Sequence, residues 1–189
     1  MEKKLLFIIT FACLYGFSEI LMSLRQRRKS TIIQSGDKGS IRFLFICIGL
    51  GYWLSFLIRP NRIGRIDEWN TFFIIGAVVT ILGLLIRITS ILTLRKQFTY
   101  TVAKIDNHLL IDKGLYKIIR HPGYLGQLII FLGISTSLSN WLSIIFMIVP
   151  VLIGYLYRIR IEEKFMVEQM GQKYLDYQTR TKKLIPKLY

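Results

Sequence analysis

The sequence is poor in the residues that build disulfide frameworks and metal sites. It has two cysteines and two histidines in 189 residues. Cys13 and Cys47 both lie inside apolar runs, and they have neither the spacing of metal ligands nor the density of a secreted disulfide framework. We therefore interpret both as small side chains that face lipid or core, and we predict no metal site.

Acidic residues are also scarce. Eleven Asp and Glu stand against 26 Lys and Arg, which gives a formal net charge of +15. A charge of this size can indicate nucleic-acid binding. Here, however, the basic residues flank long hydrophobic runs, and no basic segment is long enough to form a soluble domain of its own. This placement indicates membrane topology instead, so we expect no nucleic-acid partner.

Apolar residues are abundant and make up 52% of the chain. They occur in continuous runs instead of amphipathic stripes, which is typical of a membrane protein. We predict an all-α integral membrane protein with about five transmembrane helices in a single domain, residues 1–189. The predicted spans are 5–24, about 41–58, 72–94, 124–138 and 141–157.

The last two spans are predicted to form a tight helical hairpin. Ser139-Asn140 supplies the turn, and the fourth run is short for a full crossing. Residues 1–94 then hold three spans, and residues 95–189 hold a polar loop, the hairpin and a charged tail that we predict to be helical to about Thr181. The first run lacks a cleavage pattern and is followed by arginines, so we retain it as a span.

The distribution of lysine and arginine predicts the orientation of the protein in the membrane. With five spans, one side carries the 25–42 loop, the 95–120 loop and the tail, with twenty basic residues against five on the other side. The positive-inside rule therefore places the polar loop and the tail in the cytoplasm. The membrane would be the plasma or inner membrane of a prokaryote, or the endoplasmic reticulum of a eukaryote.

Two charged residues lie inside apolar runs. Arg87, in the third run, would cost at least ~2.5 kcal/mol at depth, so it is expected to face a cavity or a partner. A guanidinium can hold a carboxylate through two hydrogen bonds, although snorkelling to the interface is an alternative. Glu19, near the end of the first span, is adequately explained by snorkelling or by pairing with an arginine.

Arg120-His121-Pro122 predicts the start of a helix, because proline suits the first turn. Free backbone N–H groups at such a start form an anion site. His121 and Tyr124 are about one turn apart, so they can face one side and hold a carboxylate or a ribose. A capping turn alone would not require arginine, histidine and tyrosine together.

Glu162-Glu163 follows the fifth span. Arg158 and Glu162 have i, i+4 spacing, so an intrahelical ion pair of ~0.3–0.5 kcal/mol is one interpretation. The other is that a carboxylate holds a ligand ammonium while Arg158 faces an anion. Beyond them, Tyr174 and Tyr177 are spaced so that the tail can fold back over the site as a lid.

These segments, in this order, resemble the isoprenylcysteine carboxyl methyltransferase family, integral membrane enzymes that use S-adenosylmethionine. The resemblance covers roughly residues 85–189. Its motifs are Arg87, His108-Leu109-Leu110-Ile111, Gly114-Leu115-Tyr116, Arg120-His121-Pro122-Gly123-Tyr124-Leu125-Gly126, Asn140-Trp141, Glu162-Glu163, Gly171-Gln172-Lys173-Tyr174-Leu175-Asp176-Tyr177 and Pro186.

The resemblance implies S-adenosylmethionine as the cofactor, bound by the cytosolic loop, the start of the hairpin and the helical tail. Arg87 and Arg158 match positions near the substrate carboxylate and are the implied catalytic residues. The implied cofactor-binding residues are His108, Leu109, Leu110, Ile111, Tyr116, His121, Pro122, Gly123, Tyr124 and Glu162.

The resemblance also implies methylation of a lipophilic acceptor, a small molecule or a lipidated substrate that enters from the bilayer, with membrane lipids as further partners. The acceptor group is expected to be a carboxylate. Eukaryotic members act on a C-terminal prenylated cysteine, but compact relatives also occur in prokaryotes, where that substrate is generally absent. The family name therefore does not by itself identify the acceptor.

The sequence is also compatible with two other functions. Membrane sterol reductases that use NADPH have a related hairpin with an arginine-histidine-proline-asparagine-tyrosine motif. Here Gly123 replaces that asparagine, and Gln127 stands where a glutamate is common, whereas the paired glutamates favour a methyltransferase. A non-catalytic membrane adaptor would need only the spans and the charges, and it leaves the clustered Arg, His, Tyr and Glu unexplained.

Overall fold

The structure is a computed structural model that describes residues 2–29, 32–37, 39–60, 62–100, 103–105 and 109–186. These residues form six α-helices, two short strands and two 3₁₀ turns. The strands are β1 (Ile32–Ser35) and β2 (Ala103–Ile105), and the 3₁₀ turns are Arg95–Gln97 and Gly114–Lys117. The helices are α1 (Glu2–Lys29), α2 (Ser40–Ile58), α3 (Trp69–Leu94), α4 (Pro122–Thr136), α5 (Trp141–Met170) and α6 (Gln172–Arg180).

In the described part of the chain, four helices are long and apolar enough to cross a membrane: α1, α2, α3 and α5. The fourth predicted span is α4, an apolar helix of 15 residues. It begins at Pro122 and ends at Thr136, two residues earlier at each end than predicted. At 1.5 Å per residue it reaches ~22 Å, short of the ~30 Å hydrocarbon core. The predicted helical membrane fold is confirmed.

The return helix of the hairpin is continuous with the tail. The sequence predicts a span over 141–157 and a helical tail to about Thr181, and α5 runs without a break from Trp141 to Met170. The reason is that residues 158–170 contain no proline or glycine, so nothing stops the helix where the apolar run ends. It breaks at Gly171, whose φ of 55° is readily adopted by glycine, and α6 follows as a separate helix. The tail is therefore two helices instead of one.

Two segments predicted as loops pair with each other. β1 and β2 are antiparallel, with Ile32 opposite Ile105 and Ser35 opposite Ala103. Strands this short carry no periodic signal in the sequence, so their pairing depends on the fold. The pairing places the 25–42 and 95–120 loops at one end of the bundle, as the alternation of five spans predicts.

The opposite end joins the loop before α3 to the α4–α5 turn. Ile66 N donates to Ser139 O at 2.9 Å, and Trp141 N donates to Gly64 O at 2.9 Å. The indole of Trp69 donates to the Ser137 carbonyl at 3.1 Å. These contacts anchor the hairpin turn, so the start of α4 and the end of α5 both lie at the β1–β2 end.

Small residues bring α3 and α4 into close contact. A Cβ added to Gly133 of α4 would lie 2.5 Å from Thr80 N and 2.6 Å from Gly76 O. A Cβ added to Gly83 of α3 would lie 2.8 Å from Gly126 O. Such close backbone approach is typical of membrane helix pairs, where small residues replace the hydrophobic driving force. It fixes the start of α4 beside the last turns of α3.

The α2–α5 pair is held by a reciprocal hydrogen bond and an apolar cluster. Ser55 Oγ donates to Ser143 O at 2.9 Å, and Ser143 Oγ donates to Ser55 O at 2.8 Å. α1 packs on α3 and α4, with Ile8 buried beside Ile130 and Ile134. The cluster that joins α2, α4 and α5 contains Leu44, Phe131, Met147, Val151 and Tyr155.

Gly133→Ala tests the α3–α4 contact. We expect a loss of about 1–3 kcal/mol of stability, because the new methyl group would overlap the backbone at Thr80 and Gly76. Thermal unfolding in detergent measures this. Gly49→Ala in α2 is the matched control, since a Cβ there meets nothing within 4 Å. Equal melting temperatures for the two variants would contradict the close contact.

Candidate active site

A cavity opens at the end of the bundle that carries β1 and β2. All six helices contribute to its walls, together with residues 97–100 and 109–111. Ten of the twelve residues predicted for the site line it: Arg87, Leu109, Leu110, Ile111, Tyr116, His121, Gly123, Tyr124, Arg158 and Glu162.

The other two residues predicted for the site are Pro122 and His108. Pro122 is fully buried in the first turn of α4 and is not part of the cavity wall. Its fixed backbone angle suits the first helical position, so its visible contribution is to start the helix that carries Gly123 and Tyr124. His108 lies outside the described residues.

The start of α4 offers fewer free amides than the sequence suggests. His121 N donates to Lys183 O at 3.1 Å, and Tyr124 N donates to His121 O at 3.1 Å. Pro122 has no N–H. Among the described residues, only Gly123 in this first turn keeps an amide without a partner. The predicted anion site therefore reduces to a single backbone donor, and side chains must supply the rest.

Tyr124 lies between Arg158 and Glu162, for which an ion pair within α5 was one of two interpretations. Its hydroxyl donates to Glu162 Oε2 at 2.6 Å and accepts from Arg158 Nε at 2.9 Å. The Arg158–Glu162 ion pair is not formed, because α4 inserts the phenol between them. The His121 ring stacks on the Tyr124 ring with centroids 5.4 Å apart. Tyr124 thus connects the hairpin start to the paired glutamates.

Arg158 takes its counter-charge from the N-terminal half of the chain. Its Nη1 donates to Asp37 Oδ1 and to Ser40 Oγ, both at 2.9 Å. Its Nη2 donates to the carbonyl of Tyr100. The side chain is almost completely buried, so these partners satisfy a charge that would otherwise be costly. Asp37 is an acid in a strongly basic loop, which is the signal that could have singled it out.

Arg87 also faces a carboxylate. Its Nη2 donates to Glu19 Oε2 at 3.0 Å, and its Nε lies 3.4 Å from Glu19 Oε1. Glu19 Oε2 further accepts from the Tyr100 hydroxyl at 3.0 Å and from Gln127 Nε2 at 3.2 Å. Of the two interpretations of Glu19, pairing with an arginine is confirmed. Arg87 is buried, and it lines the cavity as predicted.

The second glutamate of the pair ties the tail to the hairpin. Glu163 Oε1 accepts from Arg120 Nε at 2.6 Å and lies 3.3 Å from His121 Nε2. Arg120 Nη1 continues to Thr181 O at 2.6 Å. Sequence reasoning gave Arg120 no such role, although its place in the motif marked it. The two paired glutamates thus differ. The Glu163 carboxylate contacts Arg120 and His121, whereas Glu162 lines the cavity.

The tail covers part of the cavity. Residues 118–121 pair with residues 182–183, beginning with Arg120 N to Lys182 O at 2.7 Å. The Tyr177 hydroxyl donates to Tyr116 O at 2.6 Å. Tyr174 and Tyr177 are both buried, and both line the cavity. The structure therefore folds these two aromatic residues back over the predicted site.

Tyr116 is kept neutral by its surroundings. Burial raises the pKa of its phenol, and the nearby Glu162 carboxylate raises it further. The hydroxyl therefore stays protonated at neutral pH and is available as a hydrogen-bond donor. The pKa of Tyr100 is raised for the same reasons, burial first and then the charge of Glu19.

Glu163→Gln tests the attachment of the tail. We expect it to destabilise the 118–121 to 182–183 pairing by about 2–3 kcal/mol, because Arg120 would lose its charged acceptor. Limited proteolysis in detergent should then cut near α6 faster. Glu168→Gln, an exposed glutamate on the same helix, serves as the control. Unchanged cleavage in Glu163→Gln would show that the tail is held without this ion pair.

A model of the family described as phospholipid methyltransferase matches residues 71–173 of the 189-residue chain. The chain belongs to this family. The matched region runs from α3 to the first residues of α6, so it includes Arg87, the start of α4, Arg158 and both paired glutamates.

Curated relatives are similar to more than half of the chain. Protein-S-isoprenylcysteine O-methyltransferase B of Arabidopsis thaliana is 34% identical over 113 residues, covering 59% of this chain and 57% of that protein. The protein-S-isoprenylcysteine O-methyltransferase of Tribolium castaneum is 33% identical over 136 residues, covering 71% and 48%. The chain spans about half the length of the curated relatives it matches.

A solved structure agrees with the family assignment. The structure of the eukaryotic intramembrane Ras methyltransferase ICMT, an isoprenylcysteine carboxyl methyltransferase, matches with a TM-score of 0.60 and 29% identity. The match covers 76% of this chain and 52% of that one. The resemblance to the isoprenylcysteine carboxyl methyltransferases, predicted from the motifs, is confirmed.

Proposed function

We propose that this protein transfers a methyl group from S-adenosylmethionine to a carboxylate on a lipophilic acceptor, within the membrane and at its cytoplasmic face. The observation that carries the proposal is one cavity shared by the start of α4, Glu162 and two buried arginines. Kinship with methyltransferases gives the reaction class, and the positions of these side chains support a site for it.

The residues present fit the polar end of this cofactor. Glu162 Oε2 accepts from Tyr124, whereas Oε1 has no hydrogen-bond partner among the described residues. The Glu162 side chain is 30% exposed, in contrast to 10% for Glu163. A carboxylate oxygen that faces a cavity without a partner suits an ammonium group, so Glu162 would hold the amino group of the methionine portion.

Apolar walls suit the remainder of the cofactor. Leu109, Leu110 and Ile111 line the cavity, with Tyr116 beside them. The segment is held in place by the Leu109 amide, which donates to Gln97 Oε1 at 3.1 Å. Such a surface can bury the adenosine portion and exclude water from the reacting atoms.

Methyl transfer from a sulfonium to a carboxylate requires few functional groups from the protein. When bound, the cofactor would supply a methyl group that is already activated on a sulfonium. Transfer would form a C–O bond to the acceptor oxygen and break the S–C bond, with the bonding electron pair left on sulfur. No proton would move. The residues of the site therefore need to orient the acceptor and exclude water, without a general base. Arg87 and Arg158 are the side chains proposed to orient the acceptor carboxylate.

The acceptor is proposed to enter from the bilayer. Ile41, Leu44 and Phe45 of α2 line the cavity. Phe45 is also 37% exposed. An acceptor with an apolar tail is proposed to pass along this apolar wall while its polar end meets the arginines. The relatives' names make an S-prenylated cysteine the first acceptor to test.

Position 123 argues against the reductase alternative. A Cβ on Gly123 would lie 3.0 Å from Arg87 Nη1. The asparagine that sterol reductases carry at this place in the motif would therefore crowd the Arg87 guanidinium. Glycine leaves room for the arginine beside the start of α4, where its guanidinium can meet an anionic acceptor.

Ligand-dependent stability tests the proposal directly. S-adenosylhomocysteine at about 100 times its Kd should raise the melting temperature in detergent by about 5–10 °C. NADPH should leave it unchanged. Incubation with a labelled methyl donor and an S-prenylated cysteine should give a labelled ester that is released by mild base. Stabilisation by NADPH instead, without labelled product, would overturn the proposal.

Glu162→Gln should weaken S-adenosylhomocysteine binding about tenfold or more, because the amide cannot supply the charge that an ammonium requires. Calorimetry on the detergent-solubilised protein measures the affinity. Glu168→Gln, exposed on the same helix, should bind as the parent protein does. Equal affinity for both variants would remove Glu162 from the cofactor site.

A further inference from the structure

Glu19 of α1 has a place in the cavity that the family match does not cover. It lies outside residues 71–173, yet it lines the cavity and is only 7% exposed. Three side chains converge on its carboxylate: Arg87, Tyr100 and Gln127. A glutamate this buried normally needs its charge satisfied, and here its counter-charge is an arginine proposed to orient the acceptor.

The pairing uses one edge of the Arg87 guanidinium. Nε and Nη2 both point to Glu19. The third nitrogen, Nη1, is not bound by Glu19, and it lies 3.0 Å from the position that a Cβ on Gly123 would occupy. This donor therefore faces the start of α4, beside the Gly123 amide.

Aromatic rings fix this orientation. The Arg87 guanidinium lies 5.3 Å from the Phe98 ring centroid and 5.7 Å from that of Tyr100. Within α3, the side chain leaves the helix beside the close contact with Gly126. The guanidinium is thus held by Glu19 on one edge and by rings nearby, which leaves little freedom to present another edge to a ligand.

We propose that Glu19 is a positioning residue for the methyl acceptor: it holds Arg87 so that Nη1 alone reaches the acceptor carboxylate, and it shares the arginine's charge. This inference rests on the proposed methyl transfer. A guanidinium with a single free nitrogen orients the carboxylate through one hydrogen bond. A free guanidinium would grip both oxygens and neutralise them.

The chemical consequence concerns the reactivity of the acceptor. A carboxylate that is fully paired with an uncompensated arginine binds tightly but is a poorer nucleophile, because the ion pair stabilises the ground state more than the transition state. With Glu19 present, the pair carries no net charge, so the acceptor oxygen keeps its electron density. Glu19 therefore lowers the affinity for the acceptor and raises the rate of methyl transfer.

Removing the charge of Glu19 should separate these two effects. Glu19→Gln keeps the size of the side chain and one oxygen acceptor for Arg87, but it leaves the arginine uncompensated. We expect KM for an S-prenylated cysteine to fall about tenfold and kcat to fall with it, since one extra charge-assisted contact is worth about that factor. The affinity for S-adenosylhomocysteine should not change.

A binding measurement without turnover isolates the charge effect. The S-prenylated cysteine carboxylate and its neutral carboxamide are compared by calorimetry in the absence of methyl donor. Glu19→Gln should increase the preference for the carboxylate about tenfold over that of the parent protein. Glu68→Gln, an exposed glutamate at the opposite end of the bundle, should leave the preference as it is.

A second variant guards against a failure to fold. The double substitution Glu19→Gln/Arg87→Gln removes both charges, and a neutral replacement of a buried ion pair is usually tolerated. It should still bind S-adenosylhomocysteine and lose the share of the carboxylate preference that Arg87 supplies, leaving the share of Arg158. If it keeps the full preference of the parent protein, or if Glu19→Gln changes neither KM nor kcat, the role of Glu19 is wrong while the methyl transfer stands. If the parent protein itself transfers no methyl group, the proposed function fails first.

Discussion

Three buried arginines, each paired with a carboxylate from a distant part of the chain, hold the functional end of this molecule together. Arg87 meets Glu19, Arg158 meets Asp37, and Arg120 meets Glu163. An unpaired charge in these positions would be strongly destabilising. The pairs therefore require that α1, the β1–α2 connection and the tail all close on the same end of the bundle, and the cavity is the space they enclose.

The two halves of the chain contribute differently to that space. The region matched by the family model, residues 71–173, supplies the arginines, the start of α4 and both glutamates. The N-terminal part supplies the counter-charges Glu19 and Asp37 and the apolar wall of α2. Close packing through Gly76, Gly83, Gly126 and Gly133 lies within the matched region, where it fixes the start of α4 relative to Arg87.

The paired glutamates show how neighbouring residues acquire separate tasks. Successive positions on a helix point about 100° apart, so Glu162 faces the cavity while Glu163 faces Arg120 and the tail. One carboxylate is then left available for a ligand, and the other is used to close the lid formed by α6. Tyr124 connects the two arrangements, because its hydroxyl contacts Glu162 and its ring stacks on His121.

The sequence by itself determined the membrane class, the approximate spans, the common side of three basic segments and ten of the residues around the cavity. Those features depend on local composition, on spacing along one helix, or on a motif that carries a family resemblance. Only the tertiary structure decided the partners of the arginines, the β1–β2 pairing and the role of Glu163. Such pairings join residues far apart in the chain, for which neither periodicity nor spacing leaves a mark. They are set by which buried charge finds a counter-charge once the helices have packed.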